Sequence, residues 1–149
     1  MSAPVPEIPA HVLDLFDDKP VGILTTIRPD GRLSSNPVAV LLRDGEVWVS
    51  TTKDRRKYAN LLADSRVTVC VLARNNPNRY VEIRGRAELV DDPDRVVIDE
   101  LFRTLTGGDR YPFDAPWQER VTIVVKAEQV SAPKIPMDDD PPLAPDRTD

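Results

Sequence analysis

The chain has one cysteine, Cys70, and one histidine, His11. A lone thiol forms no internal disulfide, and nothing points to a thiolate metal site, so any redox chemistry must come from a cofactor. No apolar run reaches the length of a membrane-spanning helix. Met1 to Pro9 has neither a basic start nor an apolar stretch ending in small residues, so no secretory signal is read there, and the expected location is the cytoplasm. Surplus positive charge is also missing. The net charge of -5 argues against broad binding to nucleic acid or anionic membranes, which rests on neutralising phosphates with excess Lys and Arg. No Ser-His-Asp order, Gly-rich phosphate loop or His/carboxylate metal spacing is found.

What is present suits one domain. At 149 residues, 40% hydrophobic and 30% charged, the chain can bury a core without cross-links. Val12, Leu13 and Phe16 follow Pro9 at helical spacing, predicting a short opening helix that caps one end of the fold, with His11 exposed on it. Val21 to Ile27 is rich in β-branched residues and meets the turn Pro29-Asp30-Gly31. Leu33 to Leu42 is read as one return strand, Arg43-Asp44-Gly45 as a turn, and Glu46 to Thr52 as the next strand. A helix capped by Asp54 and ending near Asp64 follows, then an apolar strand, Val67 to Ala73, in which Cys70 is read as a small core residue. The Asn-rich stretch Arg74 to Arg79 is a loop, and Tyr80 to Val90 alternates as a strand with one wet face. A helix begins after Asp91-Asp92-Pro93, with Val96, Val97, Leu101, Phe102 and Leu105 inward, and stops at Gly107-Gly108. Asp109 to Gln118 is irregular and aromatic, and Arg120 to Val130 is a last strand. About six strands, joined mostly by hairpins, predict a closed antiparallel barrel over 1–131 rather than a doubly wound sheet. The Pro/Asp-rich stretch 132–149 is expected to be a disordered tail.

Chemistry concentrates in Ser50 to Leu61. With Asp54 as cap, Arg55, Arg56 and Lys57 fill the first turn of a helix, where the dipole disfavours each cation by roughly 0.3–1 kcal/mol. A bound phosphate would offset that penalty, taking bonds from free N–H groups and pairing with the cations, while the hydroxyls of Ser50, Thr51 and Thr52 complete the pocket. The same residues also fit a solvated basic face partly neutralised by Asp54 and Asp64. Three cations in one turn of an acidic protein favour the anion site.

The order of Val21-Gly22-Ile23-Leu24-Thr25-Thr26-Ile27, Asp30-Gly31-Arg32, Ser35-Asn36-Pro37-Val38, Val49-Ser50-Thr51-Thr52 and Arg56-Lys57 before Asn60-Leu61 resembles the pyridoxamine-phosphate-oxidase-like split-barrel superfamily. Within it, the chain is most similar to the B-type flavin/deazaflavin oxidoreductases of actinobacteria. The resemblance implies a mainly β, six-stranded split barrel working as a homodimer, with coenzyme F420 or FMN held between subunits. It places Ser50, Thr51, Thr52, Arg55, Arg56 and Lys57 at the cofactor phosphate, Asn60 in support of the turn, and Ser35, Asn36, Pro37 and Val38 along the ring. Lys53 and Arg79 are candidates for the F420 tail, and Asn76 to Tyr80 and Trp117 for contacts to the partner's cofactor. The implied activity is hydride transfer from reduced F420 to a small conjugated or heteroaromatic substrate. An FMN-dependent oxidase or flavin reductase and a non-catalytic cofactor-binding protein remain open, whereas haem is disfavoured because His11 is badly placed. No proton donor is required, although Tyr80 and Tyr111 are available.

Overall fold

Antiparallel pairing dominates the computed structural model, which describes residues 4–135. Among the described residues, seven strands form one sheet: β1 (Val21–Ile27), β2 (Leu33–Ala39), β3 (Leu41–Arg43), β4 (Glu46–Thr52), β5 (Arg66–Leu72), β6 (Tyr80–Asp91) and β7 (Arg120–Ser131). A 3-10 helix (Ala10–Phe16) precedes them, α1 (Arg56–Ala63) joins β4 to β5, and α2 (Val96–Thr106) joins β6 to β7. The strand order is β2-β1-β5-β6-β7-β4-β3. Its two edges are consecutive in the chain and joined through Val40, so the sheet curls into a half-barrel, but β2 and β3 do not pair with each other and the expected closed barrel stays open. There is thus one strand more than the hairpin count predicts. Val40 is 1% exposed and donates its N–H to the Pro20 carbonyl, which breaks the expected strand Leu33 to Leu42 and sends its halves to opposite edges.

Local chemistry explains the hairpins. Asp44 and Gly45 both take positive φ, 51° and 77°, which matches a two-residue turn whose twist suits flanking strands. The β6–β7 ladder shifts register between Arg84 and Gly85, where a Cβ on Gly85 would lie 1.8 Å from the Lys126 carbonyl oxygen. Only glycine allows that approach.

The concave face of the sheet buries Leu24, Val47, Val49, Val69, Val71, Val81, Ile83, Ile123 and Val125 together with Val12 and Leu15 of the 3-10 helix and Leu61 of α1. Each such side chain contributes about 1.5–3 kcal/mol relative to exposure. Cys70 is not among them. It alternates with Val69 and Val71, so it is half-buried on the convex face beside Ile23 and Glu82. Nor is His11 exposed as expected, because its Nε2 is 2.9 Å from the Ala132 carbonyl oxygen and ties the opening helix to the end of β7. A second cluster sets Val97 and Leu101 of α2 against Leu41 on the convex face, while Val96, expected inward, is 59% exposed. The predicted disordered tail lies outside the described residues from 136 onward. No helix among the described residues is long and apolar enough to cross a membrane.

Candidate functional site

Packing α2 on the convex face leaves a cleft of about 270 Å³ between the helix and strands β2 and β4. Pro37, Val38 and Ala39 form one wall, and Ser50, Thr51 and Thr52 form the next. Ile98, Leu101, Phe102 and Leu105 of α2 face them, and Arg55, Lys57, Tyr111 and Arg120 complete the lining. The lining includes three cations and no carboxylate, in a chain of net charge -5.

The entry to α1 differs from the sequence reading. Arg55 is the N-cap, in extended conformation, and no side chain caps the helix. Asp54 lies outside it, within 3.3 Å of the Gln118 side-chain amide, and no acidic residue occupies the first turn. The positive end of the helix therefore keeps its preference for an anion. Lys57 is partly buried, and burial first, then the Arg55 charge, push its ammonium below the usual lysine range. Burial thus disfavours the charged form of Lys57, and an anion beside it would offset that cost.

The structure gathers seven of the predicted residues in the cleft: Pro37, Val38, Ser50, Thr51, Thr52, Arg55 and Lys57. Others fall elsewhere. Arg56 is exposed and outside the lining, since it leaves the first turn in a different direction from Lys57. Ser35 shares a 2.7 Å hydrogen bond with Thr25, and the Asn36 side chain donates to the Pro37 carbonyl. Asn60 is 1% exposed and donates to Thr26 Oγ1 at 3.0 Å, so it anchors α1 to β1 behind the turn. Lys53 pairs with Asp91. Arg79 is held by Asp14 and the His11 carbonyl, because the β5–β6 connection folds back on the 3-10 helix. It lines a different hollow of about 390 Å³, where Arg74 donates to the Lys19 carbonyl and Asp14 and Asp18 supply carboxylates, unlike the cleft beside α2.

Sequence reading missed Arg120 and the α2 wall, and it offered Tyr111 only as an available proton donor. Phe102, Tyr111 and Phe113 stack edge to face, with centroids 5.7 and 5.3 Å apart along the series, which makes Tyr111 a packing residue of the cleft wall. The one hint of Arg120 was a cation opening a run, Val121 to Val125, that is apolar but for Thr122.

The sequence pattern described as pyridoxamine 5'-phosphate oxidase matches residues 8–134. An F420 reductase of known structure superposes with a TM-score of 0.72 at 30% identity, over 83% of this chain and 98% of that one. A conserved hypothetical protein from Mycobacterium tuberculosis follows at 0.66 and 24%, over 87% and 86%. A protein from Listeria innocua, named for pyridoxamine 5'-phosphate oxidase, superposes at 0.62 and 22%, over 82% and 94%. These last two share the fold alone. None of the curated proteins matches this chain.

Proposed function

The chain belongs to the pyridoxamine 5'-phosphate oxidase family, and from that premise we propose that it is an oxidoreductase that holds coenzyme F420 in the cleft between α2 and strands β2 and β4. One observation carries this reading: Arg55, Lys57 and Arg120 line the cleft without a carboxylate among them. Asp114 answers the charge of Arg120 from behind the wall, so a phosphate-bearing cofactor supplies the counter-charge for Arg55 and Lys57, and similarity to an F420 reductase favours the deazaflavin over FMN.

The lining fits such a group in both its parts. Arg55 and Lys57, with the uncapped start of α1, would hold the phosphate, assisted by the hydroxyls of Ser50, Thr51 and Thr52. Pro37 and Ala39, on the convex face of β2, opposite Leu101, Phe102 and Leu105 offer an apolar slot for a flat ring, while the Val38 side chain turns to the core behind them. When bound, the cofactor supplies a hydride to a small conjugated or heteroaromatic substrate. The protein's own contribution is to orient the reactants and exclude water. Two copies of the chain are expected to complete the site. Leu33 at 69% exposure and Val21 at 40% occupy the convex face of β1 and β2, beside Pro37 of the cleft, and Phe113 and Trp117 are exposed at 72% and 69%.

Calorimetric titration of the cofactor-free protein with F420 and, separately, with FMN tests the reading. Tight binding of F420, followed by oxidation of the reduced form on adding a conjugated acceptor, supports it. Preference for FMN redirects it to oxidase or flavin reductase chemistry. Binding without hydride transfer to any acceptor indicates a cofactor carrier, and binding of neither removes the proposal.

A further inference from the structure

We propose that Arg120 is a third ligand for the anion of this cleft and that Asp114 is the positioning residue that aims it. The anion's identity as a cofactor phosphate rests on the reading above; the ligand role does not.

Arg120 opens β7, and the antiparallel ladder sets it opposite Thr52, at the end of β4 that leads into α1. Its side chain is only 7% exposed and that of Asp114 only 3%. A buried ion pair adds little net stability over well-packed apolar side chains, so stability alone gives weak reason for one here. The geometry supplies a better reason. Nε donates to Asp114 Oδ2 at 2.7 Å and Nη2 to Oδ1 at 2.5 Å, so the carboxylate takes one edge of the guanidinium in bidentate fashion. The Tyr111 ring covers a face, its centroid 4.9 Å from Cζ. Nη1 is left with one long contact, 3.4 Å to Ser50 Oγ, on the lining of the cleft. Of the five donors of a guanidinium, two are taken by Asp114, and of the three that remain the two on Nη1 lie on the side of Ser50 and the cleft, where they can bind a ligand.

Asp114 is itself fixed. Arg95 Nη2 lies 3.4 Å from its Oδ2 and donates to the Tyr111 carbonyl at 2.7 Å, so two arginines share one carboxylate and positive charge remains in surplus. The hydrogen bonds from Arg120, opposed by burial and reinforced by the charges of Arg120, Arg95 and Arg55, hold the Asp114 carboxyl below its ordinary range. The carboxylate remains ionised, and so aims the fork, across the neutral pH range.

The test is calorimetric binding of inorganic pyrophosphate, and of a ring with and without its phosphate (F420 against its deazaflavin core, FMN against riboflavin), to the full chain and its variants. For Arg120→Gln, pyrophosphate and the phosphate-bearing ring should each bind roughly ten- to a hundredfold more weakly, with the phosphate-free ring changed less than about twofold. Asp114→Asn separates aiming from bulk charge. Removing a negative charge should tighten anion binding if only net charge matters, whereas loss of aim weakens it. Equal losses for both forms of the ring, unchanged pyrophosphate affinity in Arg120→Gln, no pyrophosphate binding by the wild type, or tighter binding by Asp114→Asn would each overturn the proposal. If pyrophosphate affinity falls as expected but no ring binds, the cofactor reading fails and the ligand role of Arg120 stands. Should Arg120→Gln not fold, Arg120→Lys carries the test, because it keeps a charge for Asp114 but loses the second arm of the fork.

Discussion

Lys57 shows folding and binding in opposition within a single side chain. Burial and the nearby Arg55 disfavour its charged form, so its folded pKa is depressed. For a base, that means the protein is destabilised wherever the ammonium is charged, and the penalty lifts only as pH rises above the folded value. Lys57→Met should therefore raise the melting temperature of the cofactor-free protein at pH 7, by roughly 1–3 °C once solvent screening is allowed for, while weakening F420 binding by roughly 1.5–3 kcal/mol. Calorimetry of the same preparation reads both. Arg56→Ala, next in sequence but outside the cleft, should leave affinity within about twofold. Asp64 behaves in the opposite sense. Hydrogen bonds from the Arg66 side chain, and then from its backbone N–H, hold its carboxyl at about 2 instead of 3.8. Its stabilising contribution is complete above 3.8 and disappears as pH falls from there through about 2. Carboxyl carbon NMR should show the Asp64 midpoint rising from about 2 toward, but not reaching, 3.8 in Arg66→Gln, because the backbone N–H of residue 66 still donates to its Oδ1, and an unchanged midpoint would refute the pairing.

At the scale of elements, the turns and the alternation were legible because they depend on neighbours in sequence. Asp44-Gly45 specified its hairpin, Asp92 near the expected start of α2 accepts from the N–H groups of Val96 and Val97, each at 3.0 Å, and Gly107 ends that helix at φ 78°. The start of α1 was misread by one residue, since Asp54 is a good capping residue in isolation but is drawn to Gln118 by the incoming chain. The break at Val40 was invisible because an apolar residue turning toward the core looks like any other strand valine. Gly85 carries a prediction here. Gly85→Ala should destabilise the fold by about 3 kcal/mol or more, since the added carbon meets backbone and not a movable side chain. Chemical denaturation measures it, and a loss below about 1 kcal/mol would mean the bulge can relax.

For the whole molecule, the apolar convex face of β1 and β2 sets the expectation about assembly. If two copies pair there, Leu33→Glu should convert a species of twice the chain mass to one of single mass in sedimentation, and should weaken cofactor binding with it. A wild-type protein that sediments as a single chain would dispose of the shared site. The sequence alone determined the mainly antiparallel character, the order of strands and helices along the chain, and the cationic start of α1, because hydrophobic period, turn chemistry and local charge are written within a few residues of one another. Tertiary structure alone decided that the strands number seven, that Arg79 belongs to Asp14, and that Arg120 stands across from Thr52. The physical reason is common to all three. Register and curling are set by which buried faces fit together across long separations, so residues far apart in the chain, such as Ser50 and Arg120, become neighbours only once the β4–β7 ladder has closed.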